Sequence, residues 1–382
     1  MDFTDIFAHI DALYPEYVNF WADICRIESP TEYKPGVDAV GRYFADKAAA
    51  RGWKVDIQKQ AVSGDCVVIT MHPDAPGKPV CFSGHMDTVH PVGFFGEDPV
   101  KIEDGKIYGP GVCDCKGGLA ASFLAMAALD DCGFDARPLK LILQSDEENS
   151  SRFSNKTTVE YMCEAAKNAA AVYNVEPGEP GNTVIARKGI TRYRLTVHGK
   201  SVHSANCYGG KSAICEAAHK IIALEVFKDH FRTTLNCGLI SGGTAENTVP
   251  SKCTFTADVR FVDQAGMEEA DRFVREVAAK SYLGGTTCDV EVASRRSPME
   301  RCARNDELLE KTNAAYAAAG FDPLTGRSSN GGSDAADFTA HGIPCLDSLG
   351  TWGGGIHDRS EWCHLFSLAE IAKRLAASAM YI

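Results

Sequence analysis

Two kinds of apolar pattern take turns along most of the chain. Short, nearly continuous apolar runs predict buried strands, and the stretches between them carry apolar residues at helical spacing. The predicted strands are residues 66–71, 79–82, 139–143 and 170–175, and predicted helices at 36–50 and 117–129 lie among them. Buried strands that alternate with helices are typical of an α/β domain, with a mixed, mostly parallel sheet flanked by helices.

The middle of the chain has a different pattern. Three runs alternate between apolar and polar residues, which predicts strands with one exposed face. The alternating runs are 193–198, 254–261 and 288–292, and stretches of helical periodicity lie at 212–227 and 267–282. The β-α-β-β-α-β order that we infer from this series is typical of a small α+β, ferredoxin-like domain.

The order of these patterns predicts that one domain is inserted into another. A chain of 382 residues is long enough for two domains of ~100–200 residues each. Glycine-rich α/β character returns after about Ser297. We therefore expect a discontinuous larger domain at 1–185 plus 298–382 and an inserted smaller domain at 186–297.

Charge and hydropathy argue against two classes of partner. The chain carries 39 Lys and Arg against 51 Asp and Glu, a net charge of −12, which disfavours nucleic-acid binding because phosphates need a basic face. No apolar run reaches the ~18–20 residues that cross a bilayer, and the first residues lack the pattern of a signal peptide. The 15 cysteines are odd in number and scattered, which favours reduced thiols. We expect a cytoplasmic protein without membrane or nucleic-acid partners.

Polar residues with metal-binding side chains follow some of these strands and loops. His85 and Asp87 point to the same side of an extended chain, so one ring nitrogen could bind a metal while Asp87 accepts a hydrogen bond from the other. Asp114 lies in a glycine-rich segment just before an apolar helix. Taken singly, His85 and Asp87 could simply cap a turn, and Asp114 could cap the helix.

Three further elements add carboxylates and a second histidine. Asp146, Glu147 and Glu148 are adjacent after a predicted strand, where they repel one another unless a cation or an exposed loop compensates. Glu176 follows another predicted strand, and His357 lies in a glycine-rich segment; each is an ordinary loop residue if taken alone. Together the five elements form a ligand set for two borderline metals, such as zinc, bridged by one carboxylate.

The order and spacing of these five elements resemble the M20 family of metallopeptidases and deacylases. The resemblance covers nearly the whole chain, and residues 109–111, 116–118 and 331–335 look nearest the carboxypeptidase G2-like branch. It implies a zinc-peptidase-like catalytic domain and an inserted lid that also forms the interface of a homodimer. It also implies two divalent metal ions, above all zinc, with cobalt and manganese as alternatives.

The resemblance assigns a role to each residue of the cluster. The implied metal ligands are His85 and Glu176 on one ion, Glu148 and His357 on the other, and Asp114 as the carboxylate that bridges both. Asp87 matches the orienter of His85. Glu147 matches the general base, a carboxylate that takes a proton rather than binding metal. Cys115 follows the bridging aspartate where that branch often has a different residue.

Four positions outside the cluster also match the family. His203 matches a lid histidine that reaches the partner subunit's site and stabilises the oxyanion of the reaction. Asn247 and Arg260 match positions that bind the substrate carboxylate or support the oxyanion, and Gly332 matches a backbone N–H donor to that carboxylate. Without the resemblance, His203 would be an exposed loop residue and Arg260 a surface charge on a strand.

The reaction implied is hydrolysis of an amide bond next to a free C-terminal carboxylate, as in a glutamate carboxypeptidase or a dipeptidase. The substrate would be a small peptide or an N-acyl amino acid. An N-acyl-amino-acid deacylase of the same family is the alternative, and a metal-binding protein without turnover is the non-enzymatic one. A phosphate-binding loop is excluded because Ala205 stands where its first glycine is required, and neither HExxH nor GxSxG occurs.

Overall fold

The computed structural model describes residues 2–227 and 232–382. The chain divides into a larger and a smaller unit. The larger unit comprises Met1–Ile185, Arg301–Ser328 and Ser333–Ile382, and the smaller unit comprises Ala186–Glu300 and Ser329–Gly332. Among the described residues, no helix combines the length and the apolar character that a membrane span requires.

Helices and strands alternate along the chain. The helices are α1 (Phe3–Arg26), α2 (Lys34–Ala50), α3 (Lys116–Asp131), α4 (Thr157–Ala165), α5 (Ala213–Glu225), α6 (Gln264–Ala279), α7 (Ala303–Ala318), α8 (Ala335–Ala340) and α9 (Ser367–Tyr381), with a 3₁₀ turn at Ser204–Gly209. The strands are β1 (Lys54–Gln58), β2 (Cys66–Met71), β3 (Val80–His85), β4 (Lys101–Glu103), β5 (Lys106–Tyr108), β6 (Leu139–Gln144), β7 (Ala171–Asn174), β8 (Asn182–Arg187), β9 (Gly189–His198), β10 (Thr233–Gly242), β11 (Lys252–Phe261), β12 (Thr287–Arg296), β13 (Thr325–Ser329), β14 (Cys345–Leu346), β15 (Gly353–Gly354) and β16 (Trp362–His364).

The larger unit is built on a six-stranded sheet in the order β1-β2-β6-β3-β7-β14. Strand β3 is parallel to β6 and β7, and β14 is parallel to β7, while β1, β2 and β6 pair in antiparallel fashion. Strands β2, β3 and β7 are buried along their full length, because helices cover the sheet. The predicted mixed, mostly parallel sheet is confirmed.

Helix α3 lies in the centre of the larger unit. Every residue from Lys116 to Leu129 is buried, and α1 and α9 both pack against this helix. Such a helix needs small or apolar residues on all sides, which explains why its sequence lacks an amphipathic stripe. Since α3 is held on all sides, the loop just before it has a fixed position.

The carboxyl ends of β3, β6 and β7 meet at one edge of the sheet. In the register of the sheet, His85 lies opposite Gln144, and Ser83 lies opposite Asn174. The residues that follow these strand ends therefore emerge side by side, at the edge where α/β proteins bind ligands. The apolar pattern ended the β3 prediction at residue 82, because the remaining residues of this buried strand, Ser83, Gly84 and His85, are small or polar.

The smaller unit has a four-stranded antiparallel sheet in the order β10-β11-β9-β12. Strand β11 alternates between buried and partly exposed residues, as its sequence predicts. Helices α5 and α6 pack on one face of the sheet and enclose an apolar core of their own. The chain order β-α-β-β-α-β confirms the predicted ferredoxin-like arrangement.

Candidate metal centre

The five residues predicted as ligands lie at a strand end or in loops, at the carboxyl edge of the large sheet. His85 ends β3, Glu148 lies just after β6, and Glu176 lies just after β7. Asp114 precedes α3, and His357 lies between β15 and β16. Although the sequence separates these residues widely, the topology of the sheet brings them together.

His85 lies in the interior, and both ring nitrogens have partners. Its Nδ1 is 2.9 Å from the backbone oxygen of Asp87 and 3.4 Å from a carboxylate oxygen of the same residue. Its Nε2 faces outward from the strand, 3.1 Å from Oδ1 of Asp114 and 3.7 Å from Oε1 of Glu176. Asp87 thus holds the ring so that Nε2 faces the carboxylates, as a second-sphere residue does for a metal-bound histidine.

The Asp87 carboxylate also positions the segment after β6. It accepts a hydrogen bond from Oγ1 of Thr31 at 2.7 Å, and the backbone N–H groups of Glu147 and Glu148 donate to it at 3.1 and 3.2 Å. The side chain is fully buried. One carboxylate therefore fixes both the ring of His85 and the backbone that carries Glu147 and Glu148.

Asp114 lies between the two histidines. Its Oδ1 faces His85, and its Oδ2 is 3.3 Å from Nε2 of His357. The same nitrogen of His357 is 3.3 Å from Oε2 of Glu148. Helix α3 begins at Lys116, with Cys115 at the N-cap position and no side-chain capping bond. The interpretation of Asp114 as a helix cap is therefore wrong, and its two oxygens are arranged as in a bridging ligand.

The spacing of these atoms fits two coordinated ions. Bonds of ~2.0–2.2 Å at tetrahedral angles place ligand atoms about 3.3–3.6 Å apart. The four nitrogen–oxygen distances, between 3.1 and 3.7 Å, lie around that separation. The ligand atoms of His85, Asp114 and Glu148 also lie within 4.8 Å of one another. Imidazole nitrogens and carboxylate oxygens are donors that zinc and other divalent transition metals accept.

Burial and mutual charge shift the pKa values throughout the cluster. Burial favours the protonated form of Asp114, but hydrogen bonds from His357 and His85 hold its pKa well below the usual range. Hydrogen bonds to Asp114 and Glu148 raise the pKa of His357 to about 10. Burial raises the pKa of Glu148 to about 7, and burial with the charge of Asp114 raises that of Glu176 well above its usual range. Protons therefore compensate the crowded charges, and metal binding must displace them.

Glu147, the predicted general base, directly precedes Glu148 in the chain. Its exposed fraction is 9%, and its charge contributes to raising the pKa values of both Glu148 and Glu176. Its neighbour Asp146 accepts hydrogen bonds from the Ser154 backbone and the Thr158 hydroxyl, both at 2.9 Å. Of the three adjacent carboxylates, Asp146 thus secures a turn, Glu148 is one of the predicted ligands, and Glu147 lies between them in the chain.

The thiol of Cys115 lies beside the centre. Its sulfur and the ligand atoms of His85 and Glu176 lie within 4.8 Å of one another. The thiol accepts a hydrogen bond from the backbone N–H of His85 at 3.0 Å and is fully buried. Burial raises the pKa of Cys115 to about 12, so the group is a neutral thiol in this environment.

Sequence reasoning missed Glu361, which supports the loop that carries Asp114. Its buried carboxylate accepts hydrogen bonds from the backbone N–H groups of Gly111, Cys113 and Asp114 at 3.0, 2.8 and 2.9 Å. It is also 3.2 Å from Nε2 of His90. The sequence offers one weak signal, which is that Glu361 lies four residues after His357 in the same glycine-rich segment. A glutamate in a loop is too common to indicate such a role by itself.

The remaining predicted residues lie in the smaller unit, in two places. His203 and Asn247 are neighbours: the residue after His203 donates its N–H to the backbone oxygen of Asn247 at 2.9 Å, and both side chains are exposed. Arg260 pairs with Asp258 at 2.7 Å and donates to the backbone oxygen of Asn330 at 3.2 Å. That contact brings Arg260 to the segment 329–332, which contains Gly332.

A mostly parallel sheet that presents histidines and carboxylates at this spacing is typical of metal-dependent hydrolases. The family described as "Peptidase family M20/M25/M40" matches residues 81–381. The chain therefore belongs to the M20/M25/M40 peptidase family and is a metallopeptidase-type hydrolase. The resemblance inferred from the sequence is confirmed, and the non-enzymatic alternative is not supported.

Relatives extend the match across the whole chain. Carboxypeptidase G2 from Pseudomonas sp. (strain RS-16) is 27% identical over 376 residues, covering 96% of this chain and 89% of the relative. Succinyl-diaminopimelate desuccinylase from Rhodospirillum centenum is 28% identical over 316 residues, with 77% and 79% covered. The crystal structure of a tripeptidase from Staphylococcus aureus superimposes with a TM-score of 0.79 at 22% identity, covering 96% of this chain and 97% of that one.

Proposed function

We propose that this protein is a two-zinc hydrolase that cleaves an amide bond next to a free C-terminal carboxylate, as a carboxypeptidase or dipeptidase does. The observation that carries the proposal is the position of Asp114, whose two oxygens face His85 and His357 at 3.1 and 3.3 Å. The similarity to carboxypeptidase G2 over 96% of the chain supports the class of substrate.

The proposed metal ligands divide into two sets that share Asp114. His85 and Glu176 would hold one ion, and Glu148 and His357 would hold the other. Ions bound there would supply Lewis-acid polarisation of the amide carbonyl and a lowered pKa of water. The ions themselves cannot accept the proton that the attacking water loses, so a side chain of the protein must accept it.

Glu147 would accept the proton of the attacking water and deliver it to the leaving amine. Its charge contributes to raising the pKa values of Glu148 and Glu176, while its backbone is fixed by Asp87. A general base must lie within reach of the reacting atoms and hold its position, and the fixed backbone of Glu147 next to Glu148 supports this role.

Recognition of the substrate carboxylate is assigned to the smaller unit. Arg260 offers a guanidinium fork, although Asp258 already pairs with part of it. Asn247 and the backbone N–H of Gly332 would complete the carboxylate site, and His203 would stabilise the developing oxyanion.

A homodimer through the smaller unit is part of the proposal. Apolar side chains on α5, at its C-cap and on the edge strand β10 lie in solvent: Ile222, Val226, Leu239 and Ile240 are 67, 74, 71 and 56% exposed. Exposed apolar groups on neighbouring elements and an unpaired strand edge are typical of an interaction surface. His203 would then act on the partner subunit's site.

Complementation between inactive subunits tests whether His203 acts across the dimer. We expect His203→Ala and Glu147→Gln to be inactive alone and to regain part of the activity when mixed and allowed to exchange subunits. A mixture that stays inactive, although subunit exchange is demonstrated, would place His203 outside the partner's site.

An N-acyl-amino-acid deacylase is the second candidate function. It is favoured by the similarity to succinyl-diaminopimelate desuccinylase, which covers 77% of the chain. The same machinery would serve both reactions, because the two differ only in the group attached to the carbonyl.

Release of amino acids from a substrate panel tests the proposal directly. The panel contains dipeptides, N-acyl amino acids and folyl-type glutamates, each assayed with zinc and with EDTA. We expect C-terminal residues to be released in the zinc-loaded samples and not after EDTA. Activity on acyl substrates alone would select the deacylase, and hydrolysis that survives complete metal removal would overturn the proposed chemistry.

A further inference from the structure

A pocket in the larger unit adjoins the candidate metal centre. Its volume is about 550 Å³, within the ~300–1,000 Å³ typical of small-molecule sites. Glu148, a proposed metal ligand, lines the pocket. Thr31, another wall residue, donates its hydroxyl to Asp87. A group that occupied the pocket would therefore lie next to the reacting bond.

The walls of this pocket are mostly apolar, and several wall residues are exposed. Tyr33, Val89 and Val92 are 45, 40 and 56% exposed. The apolar wall residues are Pro30, Tyr33, Val89, Pro91, Val92 and Phe153. Apolar side chains grouped around a concave surface gain free energy when a ligand removes them from water.

The charged groups of the pocket are of one sign. Glu32 and Glu148 are its charged wall residues, and Thr31, Thr88 and Asn149 add uncharged polar groups. Among the described residues that line it, none is Lys, Arg or His. Arg152, whose guanidinium lies 5.8 Å from the Phe153 ring centre, is exposed and is not a wall residue. A carboxylate held against these walls, away from the metal centre, would lose hydration without a cationic wall residue to pair with it.

We propose that this pocket binds the group on the acyl side of the scissile bond and selects uncharged apolar or aromatic groups over anionic ones. The inference rests on the proposed function, in which the smaller unit binds the carboxylate on the leaving side. The proposal implies that N-succinyl compounds are poor substrates, because their acyl group ends in a carboxylate.

A matched pair of substrates tests the selection. N-benzoyl and N-succinyl derivatives of the same amino acid differ in the acyl group alone. We expect kcat/KM for the benzoyl compound to exceed that for the succinyl compound by ~10-fold or more, as differential binding in an apolar pocket allows. Equal rates, or faster hydrolysis of the succinyl compound, would overturn the proposal.

A charge placed in the wall should reverse this preference. Val92 is 56% exposed, so Val92→Arg can be introduced without burying the new charge. The variant should raise kcat/KM for the succinyl substrate and lower it for the benzoyl one, because the guanidinium can pair with the incoming carboxylate. Val62→Arg is the matched control, since Val62 is 63% exposed and is not a wall residue. If both variants change the ratio equally, the effect is one of overall charge and the pocket has no part in it.

A binding measurement separates failure of the pocket from failure of the proposed reaction. Calorimetry on the zinc-loaded chain, with the same two N-acyl amino acids as ligands, does not depend on turnover. Tighter binding of the benzoyl compound that Val92→Arg weakens and Val62→Arg leaves intact would support the pocket even if neither compound were hydrolysed. EDTA-sensitive hydrolysis without any benzoyl preference would retain the reaction and reject the pocket. Absence of both binding and hydrolysis would reject both.

Discussion

At the scale of single residues, the centre depends on carboxylates that do different work although they lie close together. Asp114 faces two histidines with separate oxygens, the Asp87 carboxylate accepts three hydrogen bonds inside the fold, and Glu147 is the chain neighbour of the proposed ligand Glu148. The difference lies in the segment that holds each side chain: Asp87 follows β3, Glu147 follows β6, and Asp114 lies in the loop before α3. Substitutions that keep shape and remove charge therefore separate the roles.

Asp114→Asn should abolish binding of the metal pair. An amide offers one oxygen where the carboxylate offers two, so it cannot join the ligand sets of His85 and His357. We expect metal content, measured by mass spectrometry after dialysis, to fall by about half or more, with activity lost in parallel. Asp74→Asn, on the surface, is the control. A variant that retained its full metal content would remove the bridging role from Asp114.

The Glu147→Gln variant should keep its bound metal and have a much lower kcat. The backbone N–H groups that donate to Asp87 are unchanged, so the proposed ligand Glu148 should stay in place. Loss of general base catalysis lowers kcat by ~10²–10⁴-fold. Glu97→Gln provides the matched exposed control. Full activity in the variant would assign proton transfer to another group.

At the scale of elements, the site is assembled by loops that a few buried acceptors hold in place. Glu361, in the loop that joins β15 to β16, receives three backbone N–H groups from the loop before α3. It thereby ties the loop that carries His357 to the one that carries Asp114. Because α3 is buried on all sides, it fixes the end of the Asp114 loop, and the hydrogen bonds to Glu361 hold the rest of that loop.

Glu361→Gln should weaken both the fold and the metal site. Its new amide N–H₂ group would meet a backbone N–H or the ring of His90, so at least one buried donor would lose its acceptor. Hydrogen bonds to a charged group contribute ~1.5–3 kcal/mol each, and we expect a loss of about 2–4 kcal/mol in the free energy of unfolding. Denaturation by urea, with and without zinc, measures it.

The zinc titration distinguishes positioning from simple structural support. If Glu361 positions Asp114, the stabilisation that zinc adds should also shrink in the variant. An unchanged zinc increment, with lower stability throughout, would limit Glu361 to a structural role. Glu97→Gln should change neither quantity.

The periodicity of apolar residues predicted most helices and strands, because burial follows the apolar pattern closely. It failed where polar residues near the candidate site are buried in the interior. The alternating run 254–261 belongs to the half-buried strand β11, as expected. By contrast, β3 continues through Ser83 and His85, polar residues that are buried at the strand end nearest the candidate site. Glu361 could not be predicted, since its role depends on contacts with a loop about 250 residues earlier in the chain.

At the scale of the whole molecule, activity is proposed to depend on a second copy of the chain. The exposed apolar residues of α5 and β10 form the proposed interface. Activity would need the dimer because His203 is proposed to act on the partner subunit's site. Leu239→Asp, at a position 71% exposed, should therefore leave the fold of the chain intact and convert the dimer to a monomer.

Sedimentation and activity should change together in this variant. We expect a monomeric mass and a loss of activity of about 10-fold or more, because the monomer lacks the oxyanion donor of its partner. Val62→Asp, on an exposed loop of the larger unit, controls for added charge. A dimer that persisted in Leu239→Asp would place the interface elsewhere, and a fully active monomer would confine His203 to its own subunit.

The divided larger unit has a consequence for synthesis on the ribosome. The parallel strands β3, β6 and β7 emerge early, yet β14, His357, Glu361 and α9 all lie beyond the inserted unit. Domains tend to fold as they emerge, so the smaller unit can fold while the larger one still lacks β14, the helices α7, α8 and α9, and the proposed ligand His357. Until the last part of the chain is released, the nascent protein carries an open sheet edge and a group of acidic side chains without the second histidine. The complete centre is thus one of the last features to form.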